Sequence, residues 1–105
     1  MKDLIRTALT ENPNIYFQYM RGQHRKPIGC AVAIKYHGKV LVGWSKFNTD
    51  KEKKPFDKDL AVFKAFQRAM YGNTTHSYPD CMRKFVAFVV SKSQTKFGEH
   101  RVVVK

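Results

Sequence analysis

The period of apolar positions changes several times along the chain, and each change marks an element. In residues 2–11, KDLIRTALTE, Leu4, Ile5 and Ala8 recur at helical spacing with Leu9 one place further, which predicts an amphipathic helix. Asn12-Pro13-Asn14 stops it. The period then falls to two. In 14–20, NIYFQYM, Ile15, Phe17 and Tyr19 face one way and Tyr16, Gln18 and Met20 the other, as in a strand. A polar, basic connector, RGQHRKP (21–27), follows. Two more strand-like runs, IGCAVAIKY (28–36) and KVLVGWSKF (39–47), are separated by His37-Gly38. A two-residue loop with glycine in second place suits the primed turns that close hairpins. This register pairs Ile34 with Leu41 and Val32 with Gly43 on one face, and Ala33 with Val42 and Ala31 with Trp44 on the other. Both faces are apolar, so neither is left to solvent.

The helical period returns in LAVFKAFQRAMY (60–71). Asp57 or Asp59 is placed to cap this helix, Phe56 to staple it, and Gly72 to stop it. Leu60, Phe63, Phe66 and Met70 are expected as its apolar stripe, while Ala61, Ala65 and Ala69 allow close approach to a sheet. Lys64 and Arg68 lie one turn apart on another face. Residues 73–80 read as a loop. In 82–97, MRKFVAFVVSKSQTKF, the run FVAFVV suits a strand, but Pro79-Asp80 is a helix-start signal and a helix is the reading adopted. Gly98 ends it, and RVVVK (101–105) has the composition of a short edge strand. The expected architecture is one α+β domain over residues 1–105. It holds a three-stranded antiparallel sheet with helices mainly on one face, in the order α-β-β-β-α plus a C-terminal helix.

Charge redirects attention from the core to partners. Twenty Lys and Arg face eight Asp and Glu, a formal net charge of +12. Such an excess is repelled by itself and attracted to polyanions. The cations fall into groups: Arg21, His24, Arg25 and Lys26 in the first connector; Lys51, Lys53, Lys54 and Lys58 in KEKKPFDKD; Lys64 and Arg68 on the helix; and Arg83, Lys84, Lys92 and Lys96 near the end. Long cationic side chains on two loops and a helix could span successive phosphates. A diffuse basic coat without a defined footprint is the competing reading. Within KEKKPFDKD, Lys51, Lys53 and Lys54 form a basic arm, whereas Asp57 and Asp59 would repel a phosphate brought to the helix amides.

Catalytic chemistry finds little support in the residues. The chain has no glycine-rich phosphate loop, HExxH or CxxC, and His24, His37, His76 and His100 are scattered. No catalytic residues, metal site or cofactor are therefore expected. Cys30, inside CAVAI, reads as a small buried hydrophobe; a disulfide to Cys81 is left open by the sequence. Tyr16, Tyr19, Trp44 and Phe47 lie on strands, where core packing competes with base stacking. Trp44, opposite the small Ala31, marks a surface that is either a partner or dimer patch or is covered by the C-terminal helix. No apolar run is long enough to span a bilayer, and the N-terminus lacks the apolar region of a secretory signal, so a cytoplasmic protein is expected.

Two family resemblances add a setting. GWSKFNTDKEKKPFDKDLAVFKAFQRA (43–69) resembles a pattern in small, poorly characterised bacteriophage proteins: GWS, an Asn and Asp, then FDK before an alanine-spaced helix ending in Arg-Ala. That resemblance implies an accessory protein acting in the cytoplasm of an infected bacterium. Residues 2–72 also resemble a double-stranded-RNA-binding domain in element order, with GQH (22–24) in the place of a connector whose histidine reaches the minor groove. It implies shape recognition, with His24 in a groove and Lys53, Lys54 and Lys58 on phosphates. Pro55-Phe56 interrupts that family's basic run, and residues 73–105 have no counterpart in it. The expected function is non-enzymatic binding of nucleic acid through Arg21, His24, Arg25, Lys26, Lys51, Lys53, Lys54, Lys64 and Arg68. The alternative is an inhibitor that docks on an acidic host bacterial protein, through Trp44 or the C-terminal helix, or that sequesters a nucleotide signal.

Overall fold

The structure, a computed structural model, describes residues 11–22, 26–46, 57–72 and 78–105. The helix expected over 2–11 falls almost wholly outside them, as do Phe56 and the arm 51–54. Three strands, β1 (Ile15–Arg21), β2 (Pro27–Tyr36) and β3 (Lys39–Lys46), form an antiparallel meander. The β2–β3 register is the one the hairpin pattern predicts, with Ile34 opposite Leu41 and Ala31 opposite Trp44. His37 and Gly38 turn the chain with φ of 50° and 76°, both in the left-handed region that a primed turn requires.

Two features depart from the expected architecture. The sheet has four strands and is mixed, because β4 (Arg101–Val104) pairs in parallel with β3, Lys39 through Val42 opposite Arg101 through Val104. The helices are also not gathered on one face. Helix α1 (Lys58–Tyr71) covers Cys30, Val32, Ile34 and Leu41, whereas α2 (Arg83–Phe97), entered through a 3₁₀ turn at Asp80–Met82, covers Ala31, Ala33, Val40 and Val42. The cause is visible in the strands themselves. With apolar side chains on both faces of β2 and β3, one helix can bury only half of them, and a second layer must supply the rest. Running through both helices also gives the chain the long crossover that a parallel β3–β4 pair demands.

The seating of α1 differs from expectation as well. Its buried stripe is Ala61, Val62, Ala65 and Ala69; Phe66 and Met70 flank it, while Leu60 and Phe63 are 46% and 39% exposed. Gly43 explains the rotation. A Cβ added there would lie 2.1 Å from the Ala65 carbonyl oxygen and 2.4 Å from the Ala69 nitrogen, so helix backbone rests directly on the strand. Such proximity admits only the alanine side of the helix and turns Leu60 and Phe63 outward. Ser45 ties the same seam, its Oγ donating to the Ala61 carbonyl at 2.7 Å. At the other edge of the sheet, Lys96 of α2 donates from Nζ to the outward carbonyl of Ile15 at 3.1 Å. A lysine on an exposed strand edge discourages further strand pairing.

Candidate nucleic-acid interface

The register carries several basic residues to one end of the sheet. Arg21 pairs with Pro27, and Lys46 with Gly29, so Arg21, Lys26 and Lys46 share the end where β1 finishes and β2 starts. A bulge between Met20 and Arg21 and a 2.8 Å bond from the Gly22 nitrogen to the Lys26 carbonyl close the intervening loop. Helix α1 begins at the same end, since Ala61 sits on Ser45. Lys58 in its first turn holds its ammonium 5.5 Å from the Tyr19 ring centroid. Helix α2 begins there too, because the Met82 methyl lies against Gly29, 3.5 Å from where a Cβ would stand. Arg21, Lys26, Lys46, Lys58, Arg83 and Lys84 are all exposed.

The described carboxylates at this end are engaged. Asp57 caps α1, its Oδ1 accepting from the Leu60 nitrogen at 3.1 Å, with Asp59 in the first turn behind it. Two carboxylates at this terminus oppose phosphate binding by its amides, as the sequence suggests. Asp80 forms an exposed pair with Arg83 at 2.8 Å. Helix α2 itself, RKFVAFVVSKSQTKF, contains four cations and no carboxylate. Lys84, Phe88 and Lys92 line its outer side, with the Lys92 ammonium 5.5 Å from the Phe88 ring centroid.

Of the residues that the sequence nominates, Arg21 and Lys26 meet at this end. His24, Arg25, Lys51, Lys53 and Lys54 lie outside the described residues. Lys64 and Arg68 are further along α1. Lys64 is exposed on its outer side, but Arg68 is partly buried and stacks on Trp44, guanidinium carbon 3.8 Å from the ring centroid. Trp44 lies on the stretch of β3 past its pairing with β4. Trp44 Nε1 and Arg68 Nη1 are buried and have no hydrogen-bond partner among the described residues, and the ring-to-guanidinium stack is the contact that joins the pair. Trp44 is thus partly buried, with α1's arginine over its ring and its side chain packed against the second core cluster.

Sequence reasoning gave no site role to Lys46, which ends β3, nor to Lys35, Lys39 and Arg101 at the opposite end of the sheet. Their signal was the lysines flanking the predicted turn, KYHGK. Elsewhere Cys30 is wholly buried and its thiol is pushed up to about 12 by desolvation, whereas Cys81 is exposed; both are free thiols. Among the described residues no three His, Cys, Asp or Glu side chains lie together as metal ligands would, and no helix is long and apolar enough to cross a membrane. Compared with protein-family models, curated proteins and solved structures, the chain finds no match in any of the three.

Proposed function

We propose that this protein binds nucleic acid through its phosphate backbone, with Arg21, Lys26 and Lys46 at one end of the sheet and the acid-free α2 extending the contact. The observation that carries the reading is this convergence on a chain of net charge +12. The chain leaves β1 and β3 at this same end into the segments that carry His24 and Arg25, and Lys51, Lys53 and Lys54, all outside the described residues. Each phosphate neutralised by a Lys or Arg releases counterions and contributes about −0.9 to the slope of log K against log salt on a duplex.

Helices cover both faces of the sheet, so the described residues offer no open aromatic platform to unstacked bases, and Tyr16, Tyr19 and Trp44 are all partly buried. That favours recognition of backbone and shape over base stacking. In the phage-type setting implied by the resemblance, such an accessory protein would act on nucleic acid in an infected bacterium. A second reading has its own observation. Leu60, Phe63 and Tyr71, the last 80% exposed, lie on the outer side of α1 beside Lys64, an apolar patch with a cation suited to an acidic host protein.

Titration of labelled duplex RNA, duplex DNA and single strands at two salt concentrations tests the first reading. Binding at low salt, weakened by Arg21→Ala, Lys26→Ala and Lys46→Ala together, is expected. No binding to any of them at low salt would sink it. Equal binding to all, lost at moderate salt and indifferent to the triple substitution, reduces the interface to a diffuse coat. Capture of an acidic protein from nuclease-treated bacterial lysate, lost on Phe63→Asp, would favour the second.

A further inference from the structure

The end of the sheet remote from Arg21 and Lys46 carries a basic cluster of its own. Residues 35–39, KYHGK, form the tip of the β2–β3 hairpin, and all five are exposed. Lys39 lies beside Arg101 in the parallel β3–β4 register, so three cations, Lys35, Lys39 and Arg101, frame the turn. Tyr36 and His37 meet edge to face at 4.0 Å between ring centroids. His37 holds φ at 50°, a left-handed conformation that glycine or asparagine would occupy at lower cost. A histidine kept there, braced by a tyrosine and flanked by lysines, points outward. Among the described residues, Glu11 stands three places before Asn14, whose carbonyl accepts from the Lys35 nitrogen, and Glu99 two places before Arg101; both are exposed, and neither pairs with these cations.

The distance between the two basic ends is set by the strand that joins them. β2 runs ten residues from Pro27 to Tyr36, which at about 3.3 Å per residue separates the ends by about 30 Å. This is close to one turn of a nucleic-acid duplex, about 34 Å. The acid-free α2 covers the intervening span, beginning at the first end with Met82 on Gly29 and finishing near the second, where Lys96 reaches Ile15. We propose that the hairpin tip, through Lys35, Lys39 and Arg101, is a second phosphate-contacting site. One molecule then lies along a single duplex and touches its backbone at two points roughly one helical turn apart. The inference rests on the nucleic-acid reading above and adds to it a duplex footprint and a second contact.

The test is anisotropy titration of labelled DNA and RNA duplexes of about 6, 12 and 24 base pairs, bracketing one turn, against the wild type and the Lys35→Ala, Lys39→Ala, Arg101→Ala triple variant. For the wild type, affinity should rise at least about tenfold between the two shorter duplexes, once both points are engaged, and little thereafter. The triple variant should bind the shortest duplex as the wild type does, lose the rise with length, and show a salt slope shallower by up to about 2.7. All three side chains are exposed, so its unfolding temperature should match the wild type and serve as the fold control. A variant with the wild-type length profile and salt slope overturns the second site while leaving the first reading intact. A single strand of about 12 nucleotides bound as tightly as the duplex overturns the one-turn spacing. Wild-type protein that binds no duplex of any length overturns the second site, and protein that binds no single strand either overturns both readings.

Discussion

Gly43→Ala puts the contact between α1 and β3 to a direct test. The added methyl would stand 2.1 Å from the Ala65 oxygen and 2.4 Å from the Ala69 nitrogen, each about an ångström or more inside ordinary contact, and 2.9 Å from the Ala69 Cα, about half an ångström inside it. All three atoms are helix backbone, so no side chain can swing aside and the whole helix must lift. Overpacking of this kind costs about 1–3 kcal/mol. Gly43 is not held in the left-handed region, so alanine also lowers unfolded-state entropy and returns about 0.4–1 kcal/mol. The cost outweighs the return, leaving a net loss of about 1–2 kcal/mol, or roughly 5–10 °C in Tm for a domain of this size. The assay is urea and thermal unfolding followed by far-UV circular dichroism and by Trp44, the single tryptophan. Because Arg68 rides on the same helix, the native fluorescence should shift with the loss of stability. A variant as stable as the wild type, with unchanged emission, would refute the backbone-on-backbone seam.

Further outcomes follow from neighbouring features. Arg68→Ala should cost about 0.5–2 kcal/mol by removing the stack on Trp44, and Arg68→Lys should restore only part of it, since an ammonium does not stack as a planar guanidinium does; equal stability of all three proteins in urea would count against the stack. Asp57→Ala should lose about 1 kcal/mol of helix capping while Asp57→Asn keeps most of it, measured by thermal unfolding. Near pH 8, a thiol reagent should label one cysteine, Cys81, in the native protein and the second only on unfolding; rapid labelling of both would contradict the burial of Cys30. The Cys30 thiol is raised in the folded state to about 12, so the native protein holds its proton more tightly than the unfolded chain does. Stability is therefore unaffected by this group below its ordinary value and falls as pH rises from there toward about 12; a Cys30→Ala variant should lose that alkaline decline, seen in urea midpoints across the range.

The strands were legible in the sequence because period two and a two-residue turn constrain register strongly, and the pairing of Ile34 with Leu41 follows from them alone. The apolarity of both strand faces was equally legible, and it already demanded two covering layers. The C-terminal helix adopted for 82–97, one of the covers open for the Trp44 face, supplies the second layer, although FVAFVV fits strand and helix alike and only tertiary cover decides. The parallel partner for β3 was hidden for a similar reason: RVVVK states a propensity to pair but not a direction. On α1, the larger side chains drew the stripe toward Leu60 and Phe63, whereas the smallest residue of the neighbouring strand, Gly43, determined the seat. The basic groups could be listed from sequence, but that Arg21, Lys26 and Lys46 share one end depends on strand direction. That Arg68 is spent on Trp44 depends on how closely α1 approaches the sheet.

The parallel pairing of β4 with β3 also bears on how the chain folds. Residues 39–42 meet partners about sixty positions later, a long loop to close before the contact repays it, so folding should be slow beside proteins built from local contacts. Until that closure, the β1–β3 meander exists with both of its apolar faces dependent on helices that follow it in the chain and with the outer edge of β3 unpaired. On a ribosome, the meander would emerge before either covering helix and would be open to mispairing for the longest time. The last short strand thus acts as a completion signal, sealing the sheet only once everything before it has been made and docked.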